Sequence, residues 1–306
     1  MNKPHYKILL FGAFLPLLIP IAAAQDVEPL VSVGWLEENI DNENLLVVDL
    51  PHRIKDYNRG HIPGAVFVDW RKDIIDPESP DLYTLPTKEA WQTLMSRLGV
   101  QADTHLVLTD NLDNRVSVRM YWSAKFFGHK HISVLDGGTN SWQQAGNRLS
   151  QIDAIIVESD YRVTQMNEQV RTSLETVRAA VEDGDIHLLD GRPNDQYTGE
   201  SPGKVYNTGK EHKRRGHAAT ALNIPWKDNI DDDGTFKSIN DLADLYKDNG
   251  IGMNDEVITY CNEGLHAAMP WFVLHELLKE EKVTLYDDSM AEWANLDDTP
   301  MESDKR

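Results

Sequence analysis

The residue best suited to chemistry is Cys261, the only cysteine among 306 residues. It follows the apolar stretch "EVITY", which is typical of a buried strand, and precedes the loop "NEGLH" and a helix expected to begin near Ala267. Gly264 permits a positive φ, so that backbone N–H groups of the loop can turn inward beside the N-terminus of the helix. Such a pocket lowers the pKa of a thiol from ~8.5 to roughly 3.5–7.5 and predicts a nucleophilic thiolate. The alternative is a buried, unreactive thiol, which is what most free cysteines are.

An internal repeat provides a comparison for this cysteine. The stretch from 106 to 142 aligns without a gap with the stretch from 257 to 293, and "RGHIPGAVFVDW" aligns in the same way with "RGHAATALNIPW". In this alignment Asp110 lies opposite Cys261, and Asp113 lies opposite Gly264. Only the second copy has the thiol and the loop glycine, so we expect a catalytic second repeat and an inactive first repeat.

Each repeat alternates short apolar strands, such as "LLVVDL" and "HLLDG", with helical stretches that end at a glycine. This alternation predicts two similar α/β domains, each with a parallel-type sheet flanked by helices. Cys261 then lies at the carboxyl end of a strand, the edge where ligands bind in open α/β sheets. We place the inactive domain at residues 25–150, a linker without a repeat partner at 151–168, and the catalytic domain at 169–306.

Residues 1–24 have the pattern of a secretory signal peptide: basic "MNKPHYK", apolar "ILLFGAFLPLLIPI" and a small-residue cleavage site "AAA". The apolar run is shorter than the roughly 20 unbroken residues of a membrane anchor. We therefore expect an exported, periplasmic protein that is free of the membrane after cleavage. Removing Lys3 and Lys7 takes the formal net charge from −20 to −22. Such acidity argues against nucleic acid or an anionic membrane as partner, and any anionic substrate must be bound by local donors.

Three polar stretches lack the spacing of a metal site. "DNIDDDGTF" has no glutamate at the position that a calcium loop requires. "HKH" at 129–131 and "EHKRRGH" at 211–217 lack the spacing of a zinc-ligand face. We interpret all three as solvated loops, with Arg214 and Arg215 near the cleft, and predict neither a metal nor a cofactor.

Taken in order, the motifs resemble the tandem-domain rhodanese family, which comprises thiosulfate and 3-mercaptopyruvate sulfurtransferases. The resemblance rests on "VVDL…Y..GHIPGA" and "LDGG…W" in the first repeat, and on "LLDGR…Y.GE", "GHAATALNIPW", "YCNEGLHAAMPWFVL" and "LYDDSMAEW" in the second. It covers essentially the whole mature chain. In this family only the second of two similar α/β domains carries the active cysteine.

The resemblance implies a role for Cys261 and its neighbours. Cys261 would take the outer sulfur of a small anionic donor as a persulfide and pass it to cyanide or to a thiol, including the thiol of a protein. Arg192 of "DGR" would bind the anionic group of the donor, unless it forms a structural salt bridge; Pro51 is its counterpart in the first repeat. The candidate substrate-binding residues of the loop are Asn262, Glu263, Gly264, Leu265, His266 and Ala267.

Two loop residues depart from the family pattern and leave the donor open. Thiosulfate-specific members resemble one another in having basic residues after the cysteine, and mercaptopyruvate members carry Gly and Ser, whereas this chain has Asn262 and Glu263. An acid here would repel a dianion and raise the thiol pKa unless it points to solvent. His266 either donates a hydrogen bond to the substrate, titrating near neutral pH, or faces solvent at the start of the helix.

Two other functions are considered. Cysteine phosphatases of the cell-cycle dual-specificity type share this fold, but they need an arginine six positions after the cysteine, where this chain has Ala267. A persulfide carrier or binding protein without efficient turnover is the second alternative, and Glu263 favours it.

Overall fold

The computed structural model describes residues 27–76, 78–79, 84–206 and 208–304. The predicted signal peptide, at residues 1–24, lies outside the described residues. Among the helices of the described ranges, none is both long enough and apolar enough to cross a membrane.

Two five-stranded sheets form the centres of two similar domains. The strands are, in chain order, β1 (Leu30–Val31), β2 (Leu45–Asp49), β3 (Val66–Phe67), β4 (His105–Thr109), β5 (Ile132–Leu135), β6 (Arg171–Thr172), β7 (His187–Asp190), β8 (His217–Ala218), β9 (Leu222–Asn223), β10 (Val257–Tyr260), β11 (Val283–Tyr286) and β12 (Met301–Glu302). The first sheet has the order β1-β5-β4-β2-β3 and the second β6-β11-β10-β7-β9. Neighbouring strands in both sheets are parallel, while β8 and β12 form a separate antiparallel pair. The predicted pair of α/β domains with parallel sheets is confirmed.

Helices connect the strands of both sheets, with two 3-10 turns at Glu168–Val170 and Trp226–Asn229. The α-helices are α1 (Val33–Asn39), α2 (Ile54–Arg59), α3 (Trp70–Asp73), α4 (Lys88–Arg97), α5 (Arg115–Phe126), α6 (Gly138–Gln144), α7 (Leu174–Asp183), α8 (Asn194–Tyr197), α9 (Ile239–Asp248), α10 (Ala268–Trp271) and α11 (Ser289–Trp293). No helix or strand is assigned at residues 151–167.

The glycines that follow α4 and α9 confirm the predicted helix ends, and a hydroxyl cap begins each of these helices. The Thr87 hydroxyl accepts the N–H of the third residue of α4, and the Ser238 hydroxyl does the same for α9. Both helices are followed by a glycine with positive φ, Gly99 at +74° and Gly250 at +87°.

The helix expected after the cysteine loop is not uniformly α-helical. It begins as α10 and continues as a π-helical segment, Phe272–Leu277. The Leu278 N–H therefore donates to the Val273 carbonyl, five residues back. The prediction of a continuous α-helix is therefore wrong beyond Trp271. In the wider turn, the His275 ring stacks on the Trp271 ring, with the ring centroids 4.7 Å apart.

The two domains share one continuous apolar core. Nearly every side chain of α5 is buried, and α5 packs against α10, with Tyr121 meeting Phe272 edge-to-face at 4.9 Å. Each helix follows the loop at the carboxyl end of a central strand, β4 or β10. Packing the two helices together therefore brings the loop of the inactive repeat beside the loop of Cys261.

The repeat alignment also relates the polar contacts between the domains. The Phe236 N–H donates to Asp136 Oδ1, and the N–H of Leu85, its counterpart 151 positions earlier, donates to Asp287 Oδ2; both distances are 2.9 Å. Arg119 Nη1 lies 2.6 Å from Asp287 Oδ1, with both side chains fully buried. The first domain thus holds the residue that follows the last core strand of the catalytic domain.

Candidate active site

Cys261 directly follows β10 and is only 1% exposed. Its N–H donates to Ser289 Oγ at 3.1 Å, and the backbone N–H groups of Glu263, Ala267 and His266 face its sulfur and act to lower the pKa of the thiol. These are the inward-turned amides that the loop glycine predicts. Several donors on one sulfur can stabilise a negative charge there, on the thiolate or on a longer sulfur chain.

The expected low pKa of the thiol is wrong for the resting protein. Burial raises the pKa of Cys261, and the carboxylate of Glu263 adds to the rise, while the loop amides lower it by less. The sequence shows the loop glycine and the helix start, but it does not show that the thiol is enclosed on all sides.

Gly264 has its place in the loop because nothing larger fits there. Its φ is +78°, and a Cβ would lie 2.7 Å from both Arg119 Nη1 and Asp287 Oδ1. Its N–H donates to Ser289 Oγ at 3.1 Å. Asp113, its counterpart in the inactive repeat, also has a positive φ, of 59°. Gly264 thus allows the loop to approach the buried ion pair that joins Arg119 of the first domain to Asp287 of the second.

In the first repeat, the carboxyl group of Asp110 occupies the place of the thiol. Asp110 Oδ1 accepts the N–H groups of Leu112 and Asn114, at 2.7 and 3.0 Å. Asp110 Oδ2 accepts the N–H groups of Val116 and Ser117 and the Ser117 hydroxyl, at 2.8–3.0 Å. The loop of the first repeat therefore turns its backbone N–H groups toward the side chain that takes the place of the thiol.

Arg192 forms the structural salt bridge that the sequence left open. It is 1% exposed, its Nε lies 2.9 and 3.0 Å from the two carboxylate oxygens of Asp190, and its Nη2 donates to Asp190 and to the Gly216 carbonyl. Its Nη1 lies toward Gly203, 3.2 Å from where a Cβ of that residue would be. The charge of Cys261 acts on this guanidinium, which places it near the thiol.

Asn262 contacts the chain's own residues on both sides. Its Oδ1 lies 3.1 Å from His212 Nε2, and its Nδ2 donates to Gln196 Oε1 at 2.9 Å. His212 is buried, and burial lowers its pKa to about 4. The interpretation of "EHKRRGH" as a solvated loop is therefore wrong at His212, because this segment folds inward over the cysteine loop.

Glu263 does not point to solvent. It is 2% exposed, and its Oε2 accepts the N–H of Tyr206 at 2.6 Å. Burial raises the pKa of Glu263 to about 7, against the lowering effects of the Tyr206 N–H and of Arg119. Tyr206 in turn packs on Trp70 of the first domain, with the ring centroids 5.5 Å apart.

We call residues 200–206 and 208–212 the covering segment. The two loop residues that depart from the family pattern both bond to it, Asn262 through His212 and Glu263 through Tyr206. The structure thus places the two side chains that directly follow Cys261 in the sequence against the covering segment.

The remaining loop residues are buried or stacked. Leu265 and Ala267 lie in the apolar core, at 2% and 0% exposure. The His266 ring stacks on Trp226 at 5.3 Å, and its Nε2 lies 3.4 Å from Arg115 Nη1. Burial and the charge of Arg115 lower the pKa of His266 to about 3. The expectation that it titrates near neutral pH is therefore wrong, and the ring is neutral at pH 7.

Ser289 is a site residue that sequence reasoning missed. Its hydroxyl accepts the N–H groups of both Cys261 and Gly264, so it supports the loop from below. Ser289 has a φ of 50°, and its counterpart in the first repeat, Gly138, has a φ of 60°. A serine in the place of a glycine, seen by comparing the repeats, was the available signal.

The other polar clusters take structural roles. His129 of "HKH" is buried against the Thr104 carbonyl and Tyr161 and is not solvated as expected. Arg214 donates to Thr299, near the end of the chain, instead of reaching the cleft. The four aspartates of "DNIDDDGTF" are exposed, as expected of a solvated loop, whereas Asn229, Ile230 and Phe236 of the same segment are buried. Within the described ranges, no group of His, Cys, Asp and Glu side chains could hold a metal ion.

Comparison with known proteins agrees with this architecture. The Rhodanese-like domain matches the chain twice, over residues 32–145 and 173–296. A protein of Haloferax volcanii named "Putative thiosulfate sulfurtransferase" is 34% identical over 288 residues, covering 91% of this chain and 97% of its own length. The "Sulfur carrier protein TtuD" of Thermus thermophilus is 33% identical over 277 residues, covering 90% and 96%.

A solved structure shows the same likeness. SseA from Escherichia coli, described as a 3-mercaptopyruvate sulfotransferase with the rhodanese fold, superposes with a TM-score of 0.76 at 27% identity. The match covers 86% of this chain and 99% of SseA. Together with the double domain match, these relatives show that the chain belongs to the rhodanese family, with two copies of the domain in tandem.

Proposed function

We propose that this protein is a sulfurtransferase in which Cys261 carries sulfur as a persulfide. The observation that supports this most directly is the convergence of three backbone N–H groups on the sulfur of Cys261. In the equivalent loop of the first repeat, four backbone N–H groups likewise converge on the side chain of Asp110. A persulfide anion formed at Cys261 would be stabilised by the N–H groups of its own loop.

The reaction consists of two displacements at sulfur. The Cys261 thiolate attacks the outer sulfur of the donor, whose bond to sulfite or to the carbon of the pyruvate skeleton breaks with the electron pair leaving on that fragment. Carbon–sulfur cleavage releases pyruvate once that fragment takes up a proton. A thiolate acceptor or cyanide then attacks the terminal sulfur of the persulfide, and the bonding pair returns to Cys261.

The buried carboxylate of Glu263 favours a donor with a single negative charge. Glu263 raises the pKa of Cys261 through its charge, and the same charge repels a dianion at the thiol. We therefore propose 3-mercaptopyruvate, a monoanion through its carboxylate, as a better donor than the dianion thiosulfate. Replacing Glu263 by Gln is expected to raise the rate of persulfide formation with thiosulfate more than the rate with 3-mercaptopyruvate.

The test is the intact mass of the protein after incubation with each donor and removal of excess reagent. We expect the mass of one added sulfur in the wild type and no addition in Cys261→Ser, which keeps a small polar side chain in the loop. Absence of added sulfur with both donors, together with hydrolysis of an aryl phosphate, would show a phosphatase instead.

A second candidate function is that of a sulfur carrier that releases its sulfur only to a protein partner. It is favoured by the 1% exposure of Cys261, and the relative from Thermus thermophilus has a carrier name. Steady-state turnover separates the two, because a carrier takes up one sulfur and stops with cyanide or a small thiol as acceptor, whereas an enzyme continues.

We also propose that residues 1–24 direct export and are removed. The pattern of charged, apolar and small residues supports this. N-terminal sequencing of the protein from fractionated cells should begin at Gln25 in the periplasmic fraction, and a start at Met1 in the cytoplasm would contradict it.

A further inference from the structure

Cationic side chains gather on the first domain beside the active-site loop. We call His52, Arg53, Arg71 and Arg115 the basic rim. His52 lies at its centre: Arg53 Nε lies 3.3 Å from His52 Nδ1, and Arg71 Nη1 donates to the His52 carbonyl. Burial lowers the pKa of His52, and the charges of Arg71, Arg53 and Arg115 lower it further. The three arginines therefore supply the positive charge.

Both ends of the basic rim contact the catalytic domain. At one end, Arg115 Nη1 lies 3.4 Å from the His266 ring, whose own backbone N–H points at the Cys261 sulfur. At the other end, the Arg71 guanidinium lies 5.5 Å from the ring centroid of Tyr206, whose N–H binds Glu263. Arg115 thus lies beside the loop of Cys261, and Arg71 lies beside the residue that binds Glu263 of that loop.

Two of the three arginines of the basic rim lack an acidic partner in the part of the chain that the structure describes. Within the described residues, neither Arg53 nor Arg115 forms a salt bridge, whereas the nearby Lys72 and Arg59 are paired with aspartates. The whole chain has a formal net charge of −20. Unpaired arginines at one place on such an acidic protein make a local site for an anion.

The basic rim also borders a cleft. A cavity of about 530 Å³ lies beside Pro51, just beyond the carboxyl end of β2. This is the edge of a parallel sheet where ligands bind. The charged residues that line the cavity are Arg53, Arg71 and Lys72 and one acid, Asp69, which pairs with Lys72. Pro51 is the counterpart of Arg192, so the inactive repeat keeps a cleft at the position of the active one but lines it with different cations.

We propose that the basic rim binds the carboxylate of a low-molecular-weight thiol acceptor during its attack on the persulfide of Cys261. This rests on the proposed function. A small donor is held at the bottom of the site, by the loop amides that also bind the sulfur. An acceptor thiol approaches the terminal sulfur from outside, so its remaining atoms lie outward, along the loop and toward the first domain. Arginine suits such a carboxylate because its fork matches the two oxygens.

The test compares two acceptors that differ in one charge, N-acetylcysteine and N-acetylcysteine amide, at equal thiolate concentration. Protein is first charged with donor, the persulfide is verified by intact mass, and its discharge rate is followed with each acceptor. Arg53→Gln should slow discharge by N-acetylcysteine about 3-fold, and Arg53→Glu more, as expected for a partly exposed ion pair. The effect on N-acetylcysteine should weaken as salt is raised.

Arg59→Gln is the matched control, since Arg59 is an exposed arginine at the end of α2, outside the cleft. The Arg59→Gln variant should leave the ratio of the discharge rates with the two acceptors unchanged. Equal slowing of the acid and the amide by the Arg53 variants, or an effect on donor charging alone, would overturn the proposal. Failure of the wild type to form any persulfide would instead refute the proposed function, so the two failures are distinguishable.

Discussion

Replacing Glu263 by Gln should change how the stability of the protein depends on pH. The carboxyl is 2% exposed, and its pKa is raised to about 7 from an ordinary value of 4.5. A carboxyl that holds its proton more tightly in the folded state destabilises that state when it ionises. The penalty is absent below about pH 4.5, grows as the pH rises, and is complete above about pH 7.

The size of the change in stability follows from the shift in the pKa of Glu263. At 1.36 kcal/mol per pKa unit, the difference between about 7 and 4.5 corresponds to roughly 3 kcal/mol. Almost no solvent screening reduces this value, because the group is buried. Glutamine keeps an oxygen that can accept the Tyr206 N–H but cannot ionise. Burying its amide costs about 1–3 kcal/mol at every pH. This cost shifts the whole curve of unfolding free energy against pH without changing the slope of the curve.

The assay is denaturant unfolding under reducing conditions at steps from pH 4.5 to 8. The free energy of unfolding of Glu263→Gln, relative to wild type, should rise by roughly 3 kcal/mol across this range. Asp49 and Asp136, whose pKa values are also raised, are present in both proteins and cancel in the difference. Glu182→Gln, at an exposed position of α7, is the control and should follow the wild-type curve. Parallel curves for wild type and Glu263→Gln would refute the reasoning.

Three further predictions concern the loop and the domain interface. Gly264→Ala should abolish persulfide formation, measured by intact mass, because its Cβ would lie 2.7 Å from Arg119 Nη1 and Asp287 Oδ1; charging at the wild-type rate would contradict this. Arg119→Ala should lower the free energy of unfolding by about 3–5 kcal/mol, since it leaves the buried Asp287 carboxylate without its cation. Adding Asp287→Leu should recover part of that loss in denaturant unfolding, and an additive double variant would contradict the pairing. The ring of His266 should not titrate between pH 5 and 8 by NMR, because its pKa is lowered to about 3; a midpoint near 6.5 would show that the ring is solvated.

Much of the fold was predictable because its signals are local. Caps such as Thr87 and terminal glycines such as Gly99 act within one turn of the chain, so helix ends could be read from the sequence. The repeat added long-range information, because it aligned Asp110 with Cys261 and showed that only the second copy has the thiol. The π-helical turn after Trp271 had no local signal in the sequence. This part of the helix packs against Tyr121 of the other domain, which is far away along the chain.

The candidate site also has features that the sequence determines and features that depend on the tertiary structure. The residue types alone determined that one thiol follows a strand and precedes a glycine loop, and hence that backbone N–H groups turn toward it. Tertiary structure decided what surrounds that loop. The segment that carries Tyr206 and His212 lies some 50 residues away along the chain, yet it buries Asn262 and Glu263. Desolvation depends on every atom nearby in space, so the pKa of a thiol or carboxyl follows from the assembled fold and not from its neighbours in sequence.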